Sequence, residues 1–204
     1  MLSEMEWCRS HFDRFPQISS QMPSPALILI DVQRGFDDPK WGVRNNPDAE
    51  KNISRLLEAW RSGGRPVIHI QHRSTEPNSP LRPDCSGCEF KPEATPLQGE
   101  AIFGKEVNSA FIGTSLEAYL RENGIADLVI AGLTTDHCVS TTTRMAGNLG
   151  FSAILVSDAT ATFNRKGLNG ENIIAEDIHK IHLSSLNGEF CRVLATNEVL
   201  ASFV

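Results

Sequence analysis

No apolar run in this 204-residue chain approaches the length of a membrane span; the longest, residues 26–30, is far shorter than the roughly 20 residues a spanning helix needs. An apolar leader core is also missing before Pro23, and Glu4, Glu6 and Asp13 fall where a secretory signal would avoid acids, so none is expected. Basic residues are scarce relative to acidic ones, 19 against 25, and the net charge of −6 leaves no footprint for nucleic acid or an acidic membrane surface. Cysteine occurs five times, an odd number at irregular spacing, which argues against a disulfide framework and for a reducing cytoplasm. The glycine fingerprint of dinucleotide-binding folds is absent too. After the first apolar run the chain reads Asp31-Val32-Gln33-Arg34-Gly35-Phe36, which disfavours a nicotinamide-dependent dehydrogenase.

What is present suits one α/β domain over residues 26–204, preceded by an arm over 1–25 whose Trp7, Phe12 and Phe15 suggest packing on this subunit or a neighbour. Residues 26–30 read as a buried strand ending at Asp31. Asn46-Pro47-Asp48 then reads as a helix start, and Ile53, Leu56, Leu57 and Trp60 form one apolar stripe that stops at Gly63-Gly64. Residues 66–70 form a second strand, and the β–α–β order implies a right-handed crossover in a parallel sheet. Five prolines without periodicity mark residues 74–100 as a long ordered loop. Its Cys85 and Cys88 lack two further ligands for zinc, and His69 and His72 fit packing or solvent better than metal. Residues 101–103 give a third strand, Thr114 and Glu117 a capping box, 128–131 a fourth strand and 153–156 a fifth. A polar loop over 159–171 holds Phe163, Ile174, Ile178 and Ile181 mark a helix, residues 190–194 a sixth strand, and Thr196 caps a last helix. The expected fold is a three-layer α/β/α domain with a doubly wound, six-stranded, mostly parallel sheet in the order 3-2-1-4-5-6.

The stretch 128–150 organises the rest. Its strand breaks at Gly132, and a small polar turn delivers Cys138 to a helix start, where unpaired N–H groups and the helix dipole favour a thiolate. A free cysteine is more often a small core hydrophobe, and that reading stands beside the nucleophilic one. Strand order adds weight to the second. Ligands bind at the carboxyl ends of strands where the order reverses, between strands one and four. Asp31 ends strand one, Cys138 follows strand four and Lys105 follows strand three, so all three lie on one edge.

These residues resemble the isochorismatase-like cysteine hydrolases, which include nicotinamidases and carbamoylsarcosine amidase. The carriers are LILIDVQRGF around Asp31, GKEVNSAF around Lys105, and AGLTTDHCV around Cys138, followed by SDATATF. The resemblance implies an Asp31–Lys105–Cys138 triad and a cis peptide at Leu133–Thr134. In that chemistry Asp31 is the general base, Lys105 supplies the charge that keeps it poised, and Cys138 attacks an amide carbonyl. Backbone N–H groups of Thr134 and Cys138 would receive the oxyanion, and a thioester would then be hydrolysed. Gln33, Phe36, Trp41, Asn108, Phe111, Asp136, His137 and Phe163 are the candidate substrate contacts. Nicotinamidases carry an Asp-x-His metal motif just after strand two; His72-Arg73-Ser74 stands there instead, so no metal and no cofactor is expected. Isochorismatases proper cleave a vinyl ether without a nucleophilic cysteine, so Cys138 points to C–N hydrolysis. A redox-sensing thiol on the same fold is the rival reading. The family resemblance and the aromatic arm also imply a homodimer or homotetramer.

Overall fold

The computed structural model describes residues 24–203. Trp7, Phe12 and Phe15 of the N-terminal arm lie outside the described residues. Strand β1 (Ala26–Ile30) is buried along its whole length and sits at the centre of a six-stranded parallel sheet. Around it stand β2 (Val67–His72), β3 (Ala101–Lys105), β4 (Asp127–Leu133), β5 (Ser152–Ala161) and a last sheet strand over Arg192–Leu194, in the order 3-2-1-4-5 and then that last strand. The continuous apolar runs follow from burial on both faces, which removes the polar alternation of a half-exposed strand.

Successive side chains of β1 serve opposite faces. Ile28 and Ile30 join Ile68, Ile70, Leu128 and Ile130 beneath Leu116, Leu120 and Val139. Leu27 and Leu29 join Val67, Val129 and Val156 against Ile53, Leu56, Leu57 and Trp60 of helix α1 (Ala49–Ser62). Each such side chain contributes about 1.5–3 kcal/mol when fully buried. The first face is covered by α2 (Leu116–Glu122), α3 (Ser140–Asn148) and α4 (Ala175–Leu186); α5 (Thr196–Phe203) joins α1 on the second. Among the described residues no helix is long and apolar enough to cross a membrane.

Four local expectations change. Strand β5 runs on to Ala161, with a register shift that pairs Leu133 with Ala161, so the first part of the expected 159–171 loop is strand. The remainder opens a two-stranded antiparallel ribbon, β6 (Arg165–Lys166) with β7 (Asn172–Ile173) just beyond it, which makes Arg192–Leu194 strand β8. Asn46 does not cap α1: it sits at φ 43° and its side chain donates to the Ser157 and Thr160 carbonyls, tying the helix entry to β5. The Thr114–Glu117 capping box is not formed either. The Thr114 hydroxyl donates to the Ala110 carbonyl and accepts from Leu116 N–H at 3.3 Å, while α2 starts after Ser115.

Candidate active site

Two turns at the carboxyl ends of neighbouring strands create the site. After β1 the chain bends at Asp31, a non-glycine residue at φ 51°, which is a strained conformation that turns the carboxylate inward. Near the end of β4 stands Gly132, at φ 126°, where a Cβ would stand 2.1 Å from the Ile30 carbonyl oxygen. Only glycine fits there, because β4 closes against β1 at this point. The Leu133–Thr134 peptide is cis. A single π-helical turn, Thr135–Val139, then carries Cys138 into α3. Such turns widen a helix locally and recur at functional sites.

Asp31, Lys105 and Cys138 meet in the interior. Lys105 Nζ donates to Asp31 Oδ2 at 2.7 Å and to Cys138 Sγ at 3.3 Å, and both charged side chains are fully buried. Asp31 Oδ1 is buried without a hydrogen-bond partner among the described residues. Cys138 Sγ lies 3.7 Å from Asn108 Oδ1, an acceptor for the thiol proton. The surroundings of Cys138 oppose the thiolate expected from the helix start. Burial and then the neighbouring Asp31 carboxylate push the Cys138 thiol above its ordinary range, and Lys105 only partly opposes them. Both influences favour the protonated thiol, so that a neighbouring base would assist its attack.

Cys138 opens onto a cavity of about 430 Å³, the volume of a small-molecule site. Of the expected contacts, Phe36, Trp41, Asn108 and His137 line it, as does Thr134 of the expected oxyanion pair. Four do not, for separate reasons. Gln33 is wholly buried and spends its amide on the backbones of His72 and Cys88. Phe111 stacks on Phe151 at 5.8 Å, partly buried against the core. Asp136 turns its carboxylate away, to Thr162 and to Arg165 at 2.9 Å; although burial would raise its pKa, these two bonds and the charges of His137 and Arg165 hold it at about 2. Phe163 stands one layer back, stacked on Phe36 at 6.3 Å and Trp41 at 5.7 Å.

The cavity also takes residues that were not among the expected substrate contacts. His72 lines it and lies with Nδ1 3.0 Å from Lys105 Nζ. Lys40, Ser74, Leu81 and Arg165 contribute further wall. A hint was available for the 74–100 loop, whose length alone suggested a role, but not for Lys40 or Arg165. Asp31, His72 and Cys138 bring a carboxylate, an imidazole and a thiol within 4.8 Å of one another, the donor set of a metal site. All three contact the Lys105 ammonium, so a cation already occupies their centre. Cys85 and Cys88 belong to no such group among the described residues.

Comparison with known proteins assigns the chain and its fold to a family. The Isochorismatase domain model matches residues 25–198. The chain belongs to the isochorismatase family. An isochorismatase family protein of Bacillus subtilis, YrdC, is 51% identical over 179 residues, covering 88% of this chain and 96% of that protein. An isochorismatase-family structure from Chromobacterium violaceum superposes with a TM-score of 0.87 at 48% identity, covering 93% of this chain and 97% of the other. The N-carbamoylsarcosine amidase of Thermoplasma acidophilum shares the fold with a TM-score of 0.66 at 26% identity, over 85% of this chain and 97% of that one. Isochorismatase-family proteins are hydrolases, amidases among them.

Proposed function

We propose that this isochorismatase-family protein is a cysteine-dependent hydrolase that cleaves the C–N bond of a small amide through a thioester on Cys138. The observation that carries the reading is the buried contact of Lys105 with both Asp31 and Cys138 at the wall of a small-molecule cavity. Asp31 has one carboxylate oxygen on Lys105 and one without a partner, which is the free acceptor a general base needs. It takes the thiol proton as sulfur attacks the carbonyl carbon. Lys105 stabilises the charge passing between carboxylate and sulfur. The N–H groups of Thr134 and Cys138 receive the oxyanion. Collapse breaks the C–N bond, Asp31 returns the proton to the departing nitrogen, and the acyl group stays on sulfur. Water then gives its proton to Asp31 and attacks the thioester, releasing the acid and regenerating the thiol.

The amidase relative supports the C–N class. The decisive experiment is ammonia release across small amides, ureides and carbamoyl compounds, with acid-quenched mass spectrometry to find an acyl group on Cys138. Turnover that proceeds equally well in Cys138→Ala would sink the mechanism. Assembly into a homodimer or homotetramer belongs to the same proposal. It is supported by Ile102, Val107 and Ile112, which stay about half exposed on and just after the edge strand β3. Light scattering at micromolar concentration tests it, and a monomer would rule it out.

A further inference from the structure

Lys105 has three N–H donors and no acceptor, and three acceptors surround it: Asp31 Oδ2 at 2.7 Å, His72 Nδ1 at 3.0 Å and Cys138 Sγ at 3.3 Å. The carboxylate and the sulfur have roles in the hydrolysis proposed above, whereas the imidazole has none. An ammonium can only donate, so Nδ1 must present its lone pair and the ring proton must sit on Nε2. The ring has little freedom to do otherwise. His72 ends β2 in register with Lys105 on β3, and Gln33 grips both its backbone N–H and its carbonyl. Burial and then the Lys105 charge hold the imidazole below its ordinary pKa, with Asp31 pulling weakly the other way, which agrees with a neutral ring.

We infer that His72 is a positioning residue: as a neutral imidazole it takes the third Lys105 donor, so that the ammonium is held between Asp31 and Cys138 and cannot collapse onto the carboxylate alone. The physical reason is competition. A lysine with an idle donor is free to rotate about its last bond and settle against both oxygens of the Asp31 carboxylate. That would occupy Asp31 Oδ1, the oxygen the base needs. With Nδ1 in place, each donor has its own acceptor and Oδ1 stays open. The Nε2–H is then left to the cavity that His72 lines. The kinetic consequence rests on the amidase reading; the tautomer does not.

The test has two arms. Long-range ¹H–¹⁵N NMR on the wild-type protein should find His72 as the Nε2–H tautomer at pH 7.5, with its pKa rising in Lys105→Met because the charge that lowers it is gone. In the kinetic arm, His72→Leu should lose at least about tenfold in kcat with KM little changed, the effect of one charge-assisted hydrogen bond. His72→Asn, whose side-chain oxygen can stand where Nδ1 was, should recover most of that loss. A wild-type ring protonated on Nδ1, or a His72→Leu enzyme at full rate, would overturn the inference, as would a His72→Asn enzyme no better than His72→Leu. If no small amide is hydrolysed at all, it is the amidase reading that fails, and the tautomer still decides the role of His72. Should Lys105→Met not fold, the wild-type tautomer decides it alone.

Discussion

Gln33 holds both backbone groups of His72, donating from Nε2 to its carbonyl at 2.9 Å and accepting its N–H on Oε1 at 2.8 Å. The same Nε2 donates to the Cys88 carbonyl at 2.8 Å. One buried amide, two residues beyond Asp31, thus joins the end of β1 to the end of β2 and to the 74–100 loop. Gln33→Leu leaves the His72 N–H buried without this partner, at about 1–3 kcal/mol. Thermal melts should show a loss of several degrees together with reduced kcat. An unchanged melting temperature would show that the clamp carries no weight.

Cys138→Ala should abolish turnover while the protein stays folded. The thiol is nearly buried at 7% exposure, yet it lies at a cavity wall where a methyl group fits without strain. Circular dichroism and a cooperative melt establish folding, and ammonia release establishes activity. A folded variant that keeps substantial activity would remove the covalent step.

Asp31→Asn and Lys105→Met should each lower kcat at least about a hundredfold, because neither residue can take over the other's part. The two variants differ in stability. Lys105→Met leaves a buried Asp31 carboxylate without its cation, whereas Asp31→Asn keeps a polar partner for the ammonium, so Lys105→Met should melt lower. A Lys105→Met enzyme running near the wild-type rate would rule out the charge role.

The strands were readable because a parallel strand buried on both faces must be apolar throughout, as residues 26–30 and 128–131 are. Asp31 and Cys138 were readable because each follows such a run at one edge of the sheet, whereas Lys105 closes the half-exposed edge strand β3 and stood out through the motif around it. Residues whose role depends on what lies across the fold were not. Gln33, beside Asp31, looked like a substrate contact, but its amide is consumed by chain segments 39 and 55 residues away. Asp136 sits two residues from Cys138 and still points away from it, because the π-helical turn sends the two side chains to different sides. His72 looked like an ordinary strand histidine. Its contact with Lys105 exists only because β2 and β3 pair in that register. The burial of Cys138, which opposes the helix-end preference for thiolate, was not readable either, since helix-end electrostatics are local while desolvation is a property of the whole fold.

Acid should destabilise the protein over a defined window. Burial would raise the pKa of Glu50, Glu100 and Asp136, but ion pairs and hydrogen bonds more than offset it and hold each at about 2. Arg44 and Lys91 act on Glu50, Arg61 and His69 on Glu100, and Arg165 with Thr162 on Asp136. A carboxylate whose folded pKa is depressed stabilises the protein above its unfolded value, about 4. That contribution fades as pH falls from there toward 2. Melting temperature should therefore drop steeply between about pH 4.5 and 2, and less steeply in Arg165→Leu, where Asp136 has lost its cation. A melting temperature that stays level across that window would contradict the assignment.

Activity should be independent of metal. Asp31, His72 and Cys138 have the chemistry and the spacing of a metal-binding triad, so the expectation needs a reason. That reason is the Lys105 ammonium, which lies 2.7, 3.0 and 3.3 Å from the three donor atoms. A divalent ion could bind them only by expelling Lys105 from its contacts or by sitting beside a buried positive charge. Even at an effective dielectric of about 20, two charges of +2 and +1 held 4 Å apart repel by roughly 8 kcal/mol. Asp31, Lys105 and Cys138 already provide base, charge and nucleophile, and backbone donors do for the oxyanion what a Lewis acid would do elsewhere. Turnover should thus survive dialysis against a strong chelator, and purified protein should carry no stoichiometric zinc or iron. Loss of activity on chelation, restored by one added divalent metal, would mean that Lys105 swings out during the reaction and that His72 serves as a ligand rather than as the ammonium's third acceptor.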